Sequence, residues 1–122
     1  MDSSILLAVM LGEPDAERAA QCLLDPVMSA VNLAEVHSKV MLGGMGEEKA
    51  WNMAFSLIGE VVPFDDEQAR ITGDLRLRTK EYGLSLGDRA CLALGLVTGL
   101  PVYTTDRIWQ RLKVGVKIHV IR

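Results

Sequence analysis

Basic residues, cysteines, prolines, aromatics and long apolar runs are all scarce in this chain, and each shortage removes a class of protein. Thirteen Lys and Arg against sixteen Asp and Glu leave a net charge of −3, so the totals carry no footprint of a dedicated nucleic-acid-binding domain. The only two cysteines, Cys22 and Cys91, are too few for a disulfide framework. Both stand among Leu and Ala, where a free thiol behaves as a small core residue, and their spacing fits neither a zinc site nor a redox pair. Reduced core thiols of a cytosolic protein are the expectation. The longest apolar stretches, 5–11 and 92–102, are too short to span a bilayer or are broken by Gly, Thr and Pro, which excludes a transmembrane helix. No basic region precedes the first apolar stretch and no obvious cleavage site follows it, so a cytoplasmic location is expected. A chain of 122 residues that is 49% hydrophobic suits one packed domain over 1–122 and is too short for two ordinary ones.

What remains is a regular alternation. Short β-type runs at 27–31 (VMSAV), 60–64 (EVVPF), 101–105 (PVYTT) and 116–121 (VKIHVI) are separated by longer stretches of helical periodicity. This pattern predicts an α/β domain with a mostly parallel sheet flanked by helices, and the apolar character of the runs fits strands buried on both faces. Helices are expected over 4–11, over 13–25 with Pro14 in the first turn, and over 31–42, ending at Gly43 and Gly44. Others are expected over 47–58, over 65–83 with Asp65 or Asp66 as N-cap, and from Ser85 towards Gly99. In the 47–58 helix, Ala50, Trp51, Ala54, Phe55 and Ile58 form a stripe expected to face the core.

The segment 84–96, LSLGDRACLALGL, poses the chemical question. As a helix it is apolar nearly all round, yet Asp88 stands near its start, and a buried charge must reach a partner, a metal or water. In parallel α/β folds, ligands collect at the carboxyl ends of the strands, toward which helix amino termini point. Four acids map to that edge: Asp2 before the first helix, Glu35 near the start of the helix after VMSA, Asp88, and Asp106 directly after VYTT. Singly, Asp2, Asp88 and Asp106 read as favourable charges at helix starts, and Glu35 as an exposed residue beside Lys39 at i+4. Together, four carboxylates on one edge repel one another and need a counter-ion. An oxygen-only set without His or Cys suits a hard cation, Mg²⁺ or Mn²⁺, and hence phosphate chemistry rather than zinc hydrolysis.

These stretches carry a resemblance. DSSILLAVMLGEP with SAVNLAEVHSK, then LSLGDRACLALGLVTGLPVYTTDRIW and the closing GVKIHVIR, resemble in order and spacing the PIN-domain ribonucleases, in particular the VapC-type toxins of bacterial toxin–antitoxin pairs. The resemblance runs over almost the whole chain. It implies that Asp2, Glu35, Asp88 and Asp106 form the metal-binding and catalytic acidic set, and that Ser4 and Thr104 are the small polar residues that orient the site. It also implies a parallel sheet of order 3-2-1-4-5, a VapB-type antitoxin partner and a homodimer. Met10, Leu11, Met41, Met53 and Leu57 are candidate contact residues for that dimer.

On this reading the ion polarises a phosphoryl oxygen and acidifies a water for attack on phosphorus, while one carboxylate, Asp88 or Glu35, takes the proton. RNA would be held by phosphate contacts from two basic clusters, Arg70, Arg76, Arg78 and Lys80 in one, and Arg107, Arg111 and Lys113 in the other. The competing reading is a non-catalytic PIN-like module that only binds RNA or a protein. A response-regulator-like phospho-acceptor would need paired acids after the first strand and a lysine after the last, and those are absent. His37 shares a stripe with Leu33, Val36 and Val40 and is expected in the core or an interface; His119, in a terminal strand, has no acidic neighbour in sequence. Arg89 receives no catalytic role.

One departure from the family pattern stands out. In the proteins this chain resembles, the first aspartate ends a short apolar strand in the middle of the sheet, and here only Met1 precedes Asp2. A strand needs about four residues. The expectation is therefore an open central slot, to be filled by residues upstream of Met1, a tag or a swapped segment.

Overall fold

The computed structural model describes residues 1–121 of the chain. In chain order it contains α1 (Ser3–Met10), α2 (Ala16–Ala20), β1 (Val27–Ser29), α3 (Ala30–Leu42), α4 (Glu47–Leu57) and β2 (Glu60–Val62). There follow α5 (Asp66–Arg78), a 3-10 turn (Lys80–Tyr82), α6 (Leu86–Thr98), β3 (Val102–Thr104), a second 3-10 turn (Arg107–Arg111) and β4 (Ile118–Val120). This is the α/β arrangement expected from the alternation.

Local chemistry sets the helix starts. Ser29 accepts a hydrogen bond from the Val31 N–H at 3.2 Å and opens α3, and Asp65 accepts one from the Gln68 N–H at 2.9 Å and opens α5. At α6, Ser85 and Asp88 form a reciprocal capping box, with bonds of 3.1 and 3.0 Å. Glycine in the left-handed conformation, Gly99 at φ 72°, stops α6.

Three elements differ from the sequence expectation. The 13–25 helix shrinks to Ala16–Ala20, because only Ala19 of that stretch is sealed in the core, and Asp25, at φ 49° ahead of Pro26, cannot continue a helix. In α4 the buried stripe is made of the small residues Ala50 and Ala54, both fully enclosed, whereas Trp51 and Phe55 are 42% and 54% exposed. Each sits one position further round the helix, and they stack on one another, with His37 edge-on to Trp51 at 5.3 Å. Met10, a candidate dimer contact, lies in the core between α1 and α3, while Leu11 beside it is exposed.

The core has two large clusters and a small third one, in which Ile5, Ala8 and Ala19 join α1 to α2. Leu6, Leu7, Met28, Leu33, Val36 and Val40 join α1, β1, α3 and α4. Leu75, Cys91, Leu92, Val102, Trp109 and Val114 join α5, α6 and the second strand pair. Helix α6 touches both halves, because it contacts β1 as well as β3. Its approach to the second pair depends on Gly95: a Cβ there would lie 2.7 Å from Val102 Cγ2 and 3.0 Å from Val116 Cγ1.

The sheet is interrupted where its centre should be. β1 pairs in parallel with β2, Met28 opposite Val61, and β3 pairs in parallel with β4, Tyr103 opposite His119. Among the described residues these are two separate two-stranded sheets. The chain's first two residues join them. The Met1 ammonium donates to the Val27 carbonyl at 3.0 Å, and the Asp2 N–H donates to the Tyr103 carbonyl at 2.9 Å. Successive residues of a strand turn their peptide groups to opposite sides, so Met1 and Asp2 occupy the last two rungs of a central strand. The neighbouring carbonyls fit that alternation, since Pro26 accepts from Gly59 and Glu60, and Thr104 from Ile121. Ahead of these rungs lies a cleft of about 170 Å³ lined by Met1, Cys22, Val27, Cys91, Leu94 and Tyr103. The described strands are thus the two outer pairs of the implied order 3-2-1-4-5, and Met1 and Asp2 lie between them.

Replacing Gly95→Ala is expected to cost about 1–3 kcal/mol in denaturant unfolding, because overpacking against Val102 outweighs the better helix propensity of Ala.

Candidate active site

Asp2 is the most enclosed acid of the chain, 4% exposed, at the start of α1 where the two half-sheets meet. Two hydroxyls hold one of its oxygens: Ser4 donates to Oδ2 at 2.7 Å and Thr104 at 2.8 Å. Each hydroxyl has a single proton, and in each case a backbone N–H satisfies the oxygen left over. Thr105 N–H donates to Ser4 Oγ at 3.0 Å, and Asp106 N–H to Thr104 Oγ1 at 3.1 Å. The start of α1 and the end of β3 are therefore locked through one carboxylate oxygen.

Burial pushes the Asp2 carboxyl above its ordinary value; the Ser4 and Thr104 hydrogen bonds oppose the shift, and the charges of Asp88 and Glu35 add to it. Those two charges come from different helices, α6 and α3. Glu35, half-buried, accepts from the Ser3 hydroxyl, which also lies 3.5 Å from Asp2 Oδ1. Lys39 stands 3.9 Å from Glu35 Oε2, an ion pair exposed enough on the lysine side to contribute little. Asp88 uses Oδ2 to accept from the Ser85 N–H within its capping box. That bond is a local reason for an acid at the mouth of α6, and it leaves Oδ1 free of the box. Asp106 is exposed, accepts from the Ile108 N–H at 3.0 Å, and reaches Asp2 through Thr104 rather than directly.

All six residues singled out from the sequence therefore fall on one edge of the fold. Asp2, Glu35 and Asp88 are electrically coupled there, Ser4 and Thr104 hold Asp2, and Asp106 caps its own turn at the rim. Among the described residues no three carboxylate, imidazole or thiol side chains stand close enough to ligate one ion directly. The donor set is oxygen only, which suits a hard cation that keeps much of its water and takes one or two carboxylates. The Cys91 thiol, pushed up to about 12 by burial, stays protonated and is no ligand.

Sequence reasoning missed three residues. Ser3 bridges Asp2 and Glu35. Asn32, fully buried on α3, donates its amide to the Gly87 carbonyl at 3.0 Å. Gly87 presents its backbone to Glu35, whose Oε2 would be 3.0 Å from a Cβ at that position. A polar amide on the apolar stripe of α3 and a glycine inside a helix were the available signals.

With this geometry in hand, comparison with known proteins places the chain. Residues 1–115 match the PIN domain family model, and the chain belongs to the PIN domain family. Among solved structures it is similar to a toxin-antitoxin complex from Klebsiella pneumoniae, at 22% identity and a TM-score of 0.68 over 96% of this chain and 97% of that one. It is also similar to a member of the VapBC family of toxin-antitoxin systems, VapBC-5, from Mycobacterium tuberculosis, at 25% identity and a TM-score of 0.51 over 77% and 79% of the two chains. Comparison with curated proteins returns no match.

The sign of the Asp2 shift yields a prediction. A carboxyl raised above 3.8 in the folded state holds its proton more tightly than in the unfolded chain. Metal-free protein is then penalised as pH rises through the raised value, and is unpenalised below the unfolded one. Asp2→Asn should equal the wild type in acid and exceed it in Tm at neutral pH. A Tm difference that does not grow with pH would show that Asp2 carries no such penalty.

Proposed function

We propose that this chain is a metal-dependent endoribonuclease, the toxin of a type II toxin–antitoxin pair, that hydrolyses RNA phosphodiester bonds. The observation that carries the reading is the coupling of the buried Asp2 to Glu35 and Asp88 on one edge of a PIN domain. A Mg²⁺ or Mn²⁺ ion bound by Asp2, Glu35, Asp88 and Asp106, in part through water, would supply positive charge at the phosphate and a more acidic water.

The chain's own groups do the remainder. Ser4 and Thr104 fix the direction of the Asp2 carboxylate, so that its second oxygen is presented to the edge. Glu35 or the free oxygen of Asp88 takes the proton from the attacking water. The two basic clusters of the sequence meet in space. Arg78 donates to the Lys113 carbonyl and the Tyr82 hydroxyl to the Arg111 carbonyl, each at 3.4 Å. Arg76, Arg78, Lys80, Arg107, Arg111 and Lys113 are all exposed, and Arg107 directly follows Asp106. This patch would hold the phosphates of RNA beside the acidic edge despite the net charge of −3. The toxin assignment follows the solved neighbours, both described as members of toxin-antitoxin systems. It brings a VapB-type antitoxin as partner, and a homodimer joined through exposed residues of the early helices.

The test is cleavage of RNA by the purified chain. Cleavage is expected with Mg²⁺ or Mn²⁺ and lost on chelation, and Asp88→Asn should lower its rate roughly 10²-fold or more. Asparagine keeps an oxygen for the Ser85 N–H, so the capping box and the Tm should survive. Full cleavage by a folded Asp88→Asn protein would sink the site assignment. RNA binding without cleavage at any metal concentration would favour the non-catalytic module.

A further inference from the structure

Two residues that the proposed chemistry does not use meet directly beneath Glu35 and Asp88. Asn32 lies one turn before Glu35 on α3 and is completely buried. Asparagine is a poor helix former, and a buried amide is costly unless it is bonded. Its amide nitrogen donates across to the Gly87 carbonyl at 3.0 Å, and its oxygen, also buried, has no partner among the described residues. That single bond to the neighbouring helix is therefore the contact that fixes the side chain.

Gly87 is as ill-suited to its helix as Asn32. It occupies the first turn of α6, where glycine weakens the helix, and its φ is not one that requires glycine. What requires it is proximity. A Cβ at position 87 would meet Glu35 Oε2 at 3.0 Å, Oε1 at 3.2 Å and Cδ at 3.3 Å. The Glu35 carboxylate lies against bare backbone, and the next residue is Asp88. One turn of α3 thus touches the first turn of α6 twice, through the Asn32 amide and through the Glu35 carboxylate.

We propose that this double contact sets the separation of Glu35 from Asp88, which makes Asn32 a positioning residue for the divalent ion; the inference rests on the metal reading above. The carbonyl that Asn32 grips belongs to the residue preceding Asp88, so a shift of α6 along α3 would carry Asp88 with it. Gly87 allows the approach and Asn32 holds it. Position 87 admits a side chain only by displacing the end of Glu35.

Calorimetric titration of the purified chain with Mn²⁺, read alongside its Tm, tests this without relying on cleavage. Gly87→Ala should weaken Mn²⁺ binding about tenfold, yet leave the Tm equal to or above that of the wild type, since alanine favours the helix. Asn32→Leu, close in volume but unable to bond, should weaken Mn²⁺ binding to a similar degree. Leu75→Val, buried in the other half of the core, should lower the Tm and leave Mn²⁺ affinity unchanged. A loss of affinity that appears without a loss of Tm separates positioning from mere support. Wild-type affinity in Gly87→Ala and Asn32→Leu would overturn the inference and leave the metal reading standing. Failure of the wild type to bind Mn²⁺ would overturn both. Should Asn32→Leu not fold, Asn32→Gln, which keeps an amide but carries it past the Gly87 carbonyl, is read in its place, with weakened Mn²⁺ binding expected and wild-type affinity overturning the inference.

Discussion

The rest of this structure hangs on a carboxylate sealed at the seam of two half-sheets. Asp2 is the point at which the β1 pair, the β3 pair and α1 come together: its N–H reaches Tyr103, its side chain reaches Thr104, and its neighbour Met1 reaches Val27. An ionised group so enclosed is tolerable only because donors are in place. Ser4 and Thr104 supply two, each backed by an N–H of the β3 terminus. The same hydrogen bonds therefore close the fold and aim the acid. Removing either hydroxyl loosens the junction between the halves as well as the side chain it directs.

That arrangement is in tension with itself. Burial and the charges of Glu35 and Asp88 all oppose ionisation of Asp2, while the two hydroxyls favour it. On the proposed reading a divalent cation would relieve this repulsion from outside the chain. Structural ion pairs would relieve it in the opposite way, by placing a lysine or arginine inside. Here the ion pair that Lys39 makes with Glu35 is exposed on the lysine side and at the margin of contact.

Much of this was legible in the sequence, and the reasons are particular. The four acids fell where strands end and helices begin, and strand ends in a parallel fold share an edge, so Asp2, Glu35, Asp88 and Asp106 could be grouped without coordinates. Ser85 and Gly99 could be assigned, and the α5 cap narrowed to Asp65 or Asp66, because caps are local chemistry. What failed was whatever depended on neighbours. Trp51 and Phe55 share the helical period of Ala50 and Ala54, and periodicity alone cannot say which edge of a broad apolar stripe faces inward. The 13–25 stretch has helical composition but too little buried surface to sustain a helix. The roles of Asn32 and Gly87 rest on contact across 55 positions of chain, and no spacing rule reports that.

The separation of charge along the chain bears on how an acidic protein could handle RNA. The acids that matter sit at strand ends, where backbone and hydroxyl donors partly satisfy them. The bases sit on α5 and the two 3-10 turns, and the Arg78 and Tyr82 contacts bring their two groups onto one surface. Asp106 and Arg107 mark the boundary as consecutive residues, one capping the turn that the other begins. On the proposed reading the edge without metal would repel RNA, and a bound divalent ion would offset part of that repulsion. On that reading, binding of RNA at the edge and binding of the ion would be coupled by charge, before any step of chemistry, so the ion would contribute to recognition of RNA as well as to its hydrolysis.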